Sequence, residues 1–325
     1  MTAKVMKLGN APSKVEICFG AQVSKVREPI FIVGCGRSGT TLLFDILSSH
    51  PGIARTLGYP DGEDHEGWIS HGKCVMAGIG NVHHSKYGNG INGQQFCLSM
   101  NKEDLNEDIV REMHNYYWTE VLGENKHKRV LNKQPHLSNK LDYVLGIFPD
   151  AKIIHIIRDC EPMIASWLAI MDDHPSLVVY WPQEEKLPCL WLMPKPDEPI
   201  ALARLERHAQ FYPGGGSELW IDYWCKVNSG IARQMQGQSS QLLTLRYEDL
   251  VTMPQAILAK ITSFCDLSNF EFDIDHLRTN TAQKHTRRMT PELRASIADK
   301  SKPFRQMFGY ESGASSSIAQ NLYLP

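Results

Sequence analysis

The sequence predicts an α/β fold: a parallel β-sheet covered by helices on both faces. Three observations carry this. Residues 151–158, AKIIHIIR, form a near-continuous apolar run of the kind that parallel strands show when buried on both faces. Residues 30–33 form a second apolar, β-rich run, stopped by a glycine loop that opens into helix-spaced leucines. Strand-like and helix-like segments then alternate, the order that builds parallel sheets through helical crossovers.

Taken in order, the strand at 30–33 leads through Gly34-Cys35-Gly36-Arg37-Ser38-Gly39 into a helix at 40–49 with apolar Leu42, Leu43, Ile46 and Leu47. His50-Pro51-Gly52 ends it, because proline disfavours a helical residue before it and supplies no amide hydrogen. Residues 59–93 are rich in glycine, histidine and acid and predict ordered loops with little regular structure. An amphipathic helix is predicted over 104–122, a short strand at 129–131, a helix at 139–148, the strand at 151–158 and a helix at 162–171. Residues 172–199 hold six prolines with Trp181 and Trp191, which excludes one helix or a central strand and predicts an insertion or lid. Residues 201–236 read as helical apart from Pro213-Gly214-Gly215-Gly216, followed by a strand at 241–245 and a helix at 255–265. With no repeat or clear linker, residues 1–325 read as one domain with loop-rich insertions at about 59–100 and 172–200.

The composition narrows the function. With 34 Lys+Arg against 36 Asp+Glu, the chain has no global basic field for nucleic acid or an anionic membrane, so a basic site must be local. The eight cysteines lack a C-x-x-C pair, which argues against a zinc ribbon or a disulfide framework and fits a reducing compartment. No stretch approaches membrane-span length and the N-terminus lacks a signal-peptide core, so the expectation is a soluble cytoplasmic protein.

The loop after the first strand places Gly36, Arg37, Ser38, Gly39, Thr40 and Thr41 at a helix N-terminus, where backbone amides, hydroxyls and a guanidinium converge on an anion. The two glycines match nucleotide-triphosphatase spacing, but Thr40 stands where the phosphate-binding lysine belongs, which disfavours an ordinary NTPase. The dinucleotide-binding glycine pattern fails as well.

GRSGTTLL followed by SHP resembles the phosphosulfate-binding loop of sulfotransferases that use 3′-phosphoadenosine-5′-phosphosulfate (PAPS). Three further motifs fall in the family's order. In IIHIIRDCEPMIAS, Arg158 and Ser166 stand at the spacing that binds the donor's 3′-phosphate. Leu131-Asn132-Lys133-Gln134-Pro135 is similar to the strand ending in a catalytic lysine, and Arg246-Tyr247-Glu248-Asp249-Leu250 to a later family element. The pattern is closest to the bacterial and tyrosylprotein-type branch. The resemblance implies a P-loop-like fold related to nucleotide kinases, PAPS as donor and no obligatory metal. It implies donor contacts from residues 36–41, Arg158, Ser166 and Tyr247, with Arg287 and Arg288 of the basic stretch 278–305 as further 3′-phosphate candidates. Lys133 is implied to donate to the bridging oxygen of the leaving group.

For the base the resemblance leaves Glu63, Glu66 and His136 open. Tyrosyl-peptide and heparan branches use a glutamate beyond the loop, whereas the cytosolic branch uses a histidine just after the lysine. Crowding among Asp61, Glu63, Asp64 and Glu66 predicts at least one raised carboxyl pKa. His65, His71, His83 and His84 lack ligand spacing for a metal. The acceptor is expected between 61–68 and 172–199. There Asp172, Asp173, Glu184 and Glu185, near Trp167, Tyr180 and Trp181, favour a small cationic molecule such as a guanidinium- or amine-bearing natural product. A nucleotide or small-molecule kinase and a non-catalytic nucleotide-binding protein share the architecture and are the rival readings.

Overall fold

The computed structural model describes residues 25–58, 62–74, 99–173, 177–182, 191–194, 209–213, 217–275, 277 and 288–311. Its centre is a five-stranded parallel sheet. β1 (Ile30–Val33), β2 (Ile53–Arg55), β3 (Arg129–Lys133), β4 (Lys152–Ile157) and β8 (Leu242–Arg246) lie in the order β2-β3-β1-β4-β8. The predicted strands at 30–33, 129–131, 151–158 and 241–245 are all present, and β2 adds one that its three residues were too short to signal.

Strand alternation sorts β1 between two cores. Ile30 and Ile32 face α1 (Thr40–Ser48) together with Leu43, Phe44 and Leu47, while Phe31 and Val33 face a larger cluster containing Trp68, Tyr117, Phe148, Trp220 and Trp224. Both sides are therefore apolar, as the continuous strand pattern requires.

α2 (His65–Ser70) corrects the expectation of irregular structure across 59–93. Asp64 accepts a hydrogen bond from the Gly67 amide at 3.0 Å, an N-cap that starts the helix, and Trp68 is buried beneath it. Residues 59–61 and 75–98 lie outside the described residues. The helix predicted over 104–122 divides into α3 (Glu107–Tyr116) and a π-helical turn (Tyr117–Leu122). α4 (Leu141–Ile147) and α5 (Cys160–Asp173) follow as expected, with Pro162 in the first turn of α5, where its missing amide hydrogen costs nothing.

The proline-rich insertion holds two strands, and a third follows it within the predicted helical stretch 201–236. β5 (Leu177–Pro182), β6 (Trp191–Pro194) and β7 (Ala209–Pro213) form a separate antiparallel sheet in the order β6-β5-β7. β7 overturns the helix predicted for that stretch: pairing of Phe211 with Tyr180 and of Tyr212 with Val179 draws these β-favouring aromatics into the sheet. The helical part is α6 (Ser217–Gln234). α7 (Tyr247–Thr252), α8 (Pro254–Phe264) and α9 (Pro291–Met307) complete the chain.

His155, on β4, is fully buried; its Nε2 donates to Asn228 Oδ1 at 2.9 Å. Burial lowers its pKa to about 4, against the opposing pull of the Asn228 bond. The folded state binds the proton more weakly than the unfolded chain, so this stabilisation is complete above about pH 6.5 and is lost as pH falls toward 4. The loss at pH 5 is about 2 kcal/mol. Urea unfolding at pH 8 and pH 5 should show a smaller acid loss in His155→Gln than in the wild type; equal losses would assign the acid sensitivity elsewhere.

Candidate active site

Three neighbouring strands end at one edge of the sheet and deliver the functional segments. Val33 of β1 leads into the glycine loop, Lys133 ends β3, and Arg158 follows β4, which is the carboxyl edge where open α/β sheets hold ligands. The loop's shape depends on backbone that only glycine adopts without strain. Gly39 caps α1 with φ 91°, and a Cβ there would stand 2.4 Å from the Tyr247 ring. Arg37 also has a positive φ of 70°, a costly conformation for a bulky residue and one that recurs at functional sites.

Aromatic side chains fix the loop from outside. Tyr223 Oη accepts from the Gly36 amide at 2.9 Å, and Trp167 Nε1 donates to the Gly36 carbonyl at 3.2 Å. The Trp167 ring stacks on Trp220 at 4.8 Å. Within the loop, the buried Ser38 hydroxyl has no hydrogen-bond partner, although it retains a donor and an acceptor.

Arg158 is nine-tenths buried and its Nε is unpartnered. Its guanidinium lies over the Tyr247 ring at 4.7 Å, and its Nη1 donates to the Arg37 carbonyl at 3.3 Å. Trp224 Nε1 donates to its backbone carbonyl at 2.7 Å. Ser166 is not bonded to Arg158: its hydroxyl accepts from Arg37 Nε at 3.2 Å. Arg37 therefore links residues of both expected anion sites, bonding Ser166 through its Nε and Arg158 through its carbonyl. Arg288 is exposed and paired with Asp172 at the end of α5, while Arg287 lies outside the described residues.

The R-Y-E-D-L element acts as a brace. Glu248 Oε1 accepts from the Asp159 amide at 3.0 Å, Tyr310 donates to Glu248 Oε2 at 2.9 Å, and Arg305 grips Asp159 through two bonds of 2.9 and 3.0 Å. Arg246 pairs with Asp249 at the mouth of α7. Burial raises the Glu248 pKa against those bonds. The residue following Arg158 is thus pinned from two elements.

Lys133 is almost fully buried and its Nζ donates to Glu63 Oε1 at 2.8 Å. His65 Nε2 donates to the other carboxylate oxygen, Oε2, at 3.0 Å, and the rings of His65 and His136 lie 5.2 Å apart. Glu63 and His136 are therefore brought to Lys133 together, along with His65. The pKa of Glu63 falls to about 2: burial pushes it up, but the His65 bond and the charges of His136 and Lys133 outweigh burial. The raised carboxyl is Asp64, and the cause is its burial, which outweighs the lowering by hydrogen bonds from the Tyr116 hydroxyl and the Gly67 amide, rather than crowding by like charge. Glu66 lies on α2, and its side chain is outside the described residues.

Glu63, His65 and His136 each place one ligand atom within 4.8 Å of the others, the one such group among the described residues. Any cation there competes with the Lys133 ammonium for the same carboxylate. Among the described residues no helix is long and apolar enough to cross a membrane.

The model of the Sulfotransferase family matches residues 29–181, the span that holds the loop, Lys133, Arg158 and Ser166. A protein of Mycobacterium tuberculosis named omega-hydroxy-beta-dihydromenaquinone-9 sulfotransferase Stf3 is 22% identical over 338 residues, covering 91% of this chain and 79% of that protein. An uncharacterized protein of Aquifex aeolicus is 29% identical over 140 residues, 41% of this chain but only 16% of that protein's length. Among solved structures, the sulfotransferase domain from the curacin biosynthetic pathway superposes with a TM-score of 0.50 at 17% identity, covering 89% of this chain and 99% of that domain. That likeness establishes the fold.

Proposed function

We propose that this chain, whose residues 29–181 match the Sulfotransferase family model, moves a sulfuryl group from PAPS to a hydroxyl or amine of a small molecule. The observation that carries the donor assignment is that Ser38 Oγ and Arg158 Nε, on the segments that follow β1 and β4 at the carboxyl edge of the sheet, are both buried and without a partner. Buried polar atoms without partners are costly, and a donor carrying a 5′-phosphosulfate and a 3′-phosphate offers acceptor oxygens to both.

In this reading Gly36, Arg37, Ser38, Gly39, Thr40 and Thr41 hold the 5′ end, while Arg158 and Ser166 hold the 3′-phosphate over Tyr247. Arg287 and Arg288 remain further candidates for the 3′-phosphate. The acceptor oxygen or nitrogen attacks sulfur as the bond from sulfur to the bridging phosphate oxygen breaks. Lys133 donates to that oxygen as negative charge collects on it. The acceptor's proton passes to one of Glu63, Glu66 and His136. No metal is required for this step.

Asp172, one of the acids expected to favour a cation, is engaged by Arg288, and Asp173 is exposed beside it. Glu184 and Glu185 lie outside the described residues. The mycobacterial relative carries an ω-hydroxy acceptor in its name, which keeps an uncharged alcohol in view beside the cationic natural product.

Calorimetric titration with adenosine 3′,5′-bisphosphate (PAP), the nucleotide left after transfer, tests the donor assignment against the kinase rival. Micromolar or tighter PAP binding with ATP at least about tenfold weaker is expected; preference for ATP would overturn the assignment. Label transfer from radiolabelled PAPS to pooled small molecules then separates an enzyme from a binding protein.

A further inference from the structure

We propose that Glu63 is the resting counter-ion of Lys133 and that the incoming donor displaces it, so that docking of the nucleotide both engages the lysine and uncovers the carboxylate. This rests on the sulfuryl-transfer reading and deepens it.

The argument begins with the lysine. Its side chain is 1% exposed and ends 2.8 Å from Glu63 Oε1, while Glu63 is itself only 17% exposed. A buried ammonium needs an anionic partner, and in this state Glu63 supplies it. The same ammonium is the group assigned to the bridging oxygen of the donor. When the phosphosulfate arrives, a carboxylate and an anionic nucleotide contend for one cation, and like charge disfavours keeping both against it.

The carboxylate is built to survive the exchange. Its second oxygen is held by His65 Nε2 at 3.0 Å, from the first residue of α2, whose start Asp64 fixes by capping Gly67. Release of Lys133 leaves Glu63 anchored through Oε2, with Oε1 exposed toward the acceptor's proton. The Glu63 carboxylate is thus masked by Lys133 until a leaving group is in place. Glu63 sets donor affinity through its hold on Lys133, separately from any role at the acceptor.

PAP titration of the wild type, Glu63→Gln, Lys133→Met and the double variant tests this, with thermal denaturation to show that each is folded. Loss of the counter-ion should raise PAP affinity about tenfold when Lys133 is present and no more than about twofold when it is absent. Equal gains in both backgrounds would reveal general repulsion and overturn the latch, as would no gain from Glu63→Gln. Glu63→Ala serves as a second variant, because glutamine retains an acceptor for the ammonium, and Lys133→Gln replaces Lys133→Met if the latter unfolds. Failure of the wild type to bind PAP at all would sink the donor assignment itself, which distinguishes the two outcomes.

Discussion

Replacing Arg158 by alanine is expected to lower PAP affinity by about two to three orders of magnitude, corresponding to roughly 3–4 kcal/mol for a buried charged donor removed from a phosphate. The size follows from preorganisation. The guanidinium is pressed on the Tyr247 ring, its carbonyl is tied to Trp224, and the next residue is clamped by Glu248 and Arg305. Little side-chain freedom remains to be lost on binding, so most of each phosphate bond reaches the measured affinity. Arg158→Lys keeps the charge but loses the planar fork and should fall between the two. Calorimetry reads these values directly. A loss below tenfold in Arg158→Ala would place the 3′-phosphate on other residues, and a defect confined to the chemical step rather than donor binding would count equally against the assignment.

The donor side was the legible half of this site because its residues are local. Loop, helix start and glycines lie within a dozen positions, and Arg158 and Ser166 are carried by one strand and the helix that follows it. Even there, their partners were not readable: the Ser166 hydroxyl meets Arg37, a contact between residues 129 positions apart. Tyr223, Trp167 and Trp224, which shape the loop and the arginine, carry no sequence signal beyond apolar helix spacing, since a buried aromatic reads the same whether it lines a site or fills a core.

The acceptor side was less legible. Spacing offers Glu63, Glu66 and His136 without choosing among them, because what meets Lys133 depends on β3 and the turn before α2 coming together across seventy residues. His65 stands in sequence on a segment without metal-ligand spacing, yet folding places it against both Glu63 and His136. The raised carboxyl does fall in the acidic segment, but its cause is burial rather than like charge: charge density is visible in a sequence, whereas the burial of Asp64 is not. The three-stranded sheet escaped for a related reason. Its strands pair antiparallel with partners distant in sequence, and proline and aromatic content argues against helix without specifying a partner.

Lys133 is where the two halves meet, and its replacement gives the second large expected effect. Lys133→Met retains the stem's volume in a slot that is 1% exposed while deleting the donor to the bridging oxygen. Label transfer from radiolabelled PAPS should fall about a hundred- to a thousandfold, the range for loss of one preorganised donor to a developing oxyanion. PAP affinity should fall much less, because the arginines and the loop carry the phosphates and because the lysine's bond to Glu63 is forfeited in the free enzyme as well. A parallel loss of binding and transfer would make Lys133 a donor-binding group alone. Transfer that survives undiminished would require the leaving oxygen to be met by Arg37 or the loop amides, and would turn the buried lysine into a structural partner of Glu63.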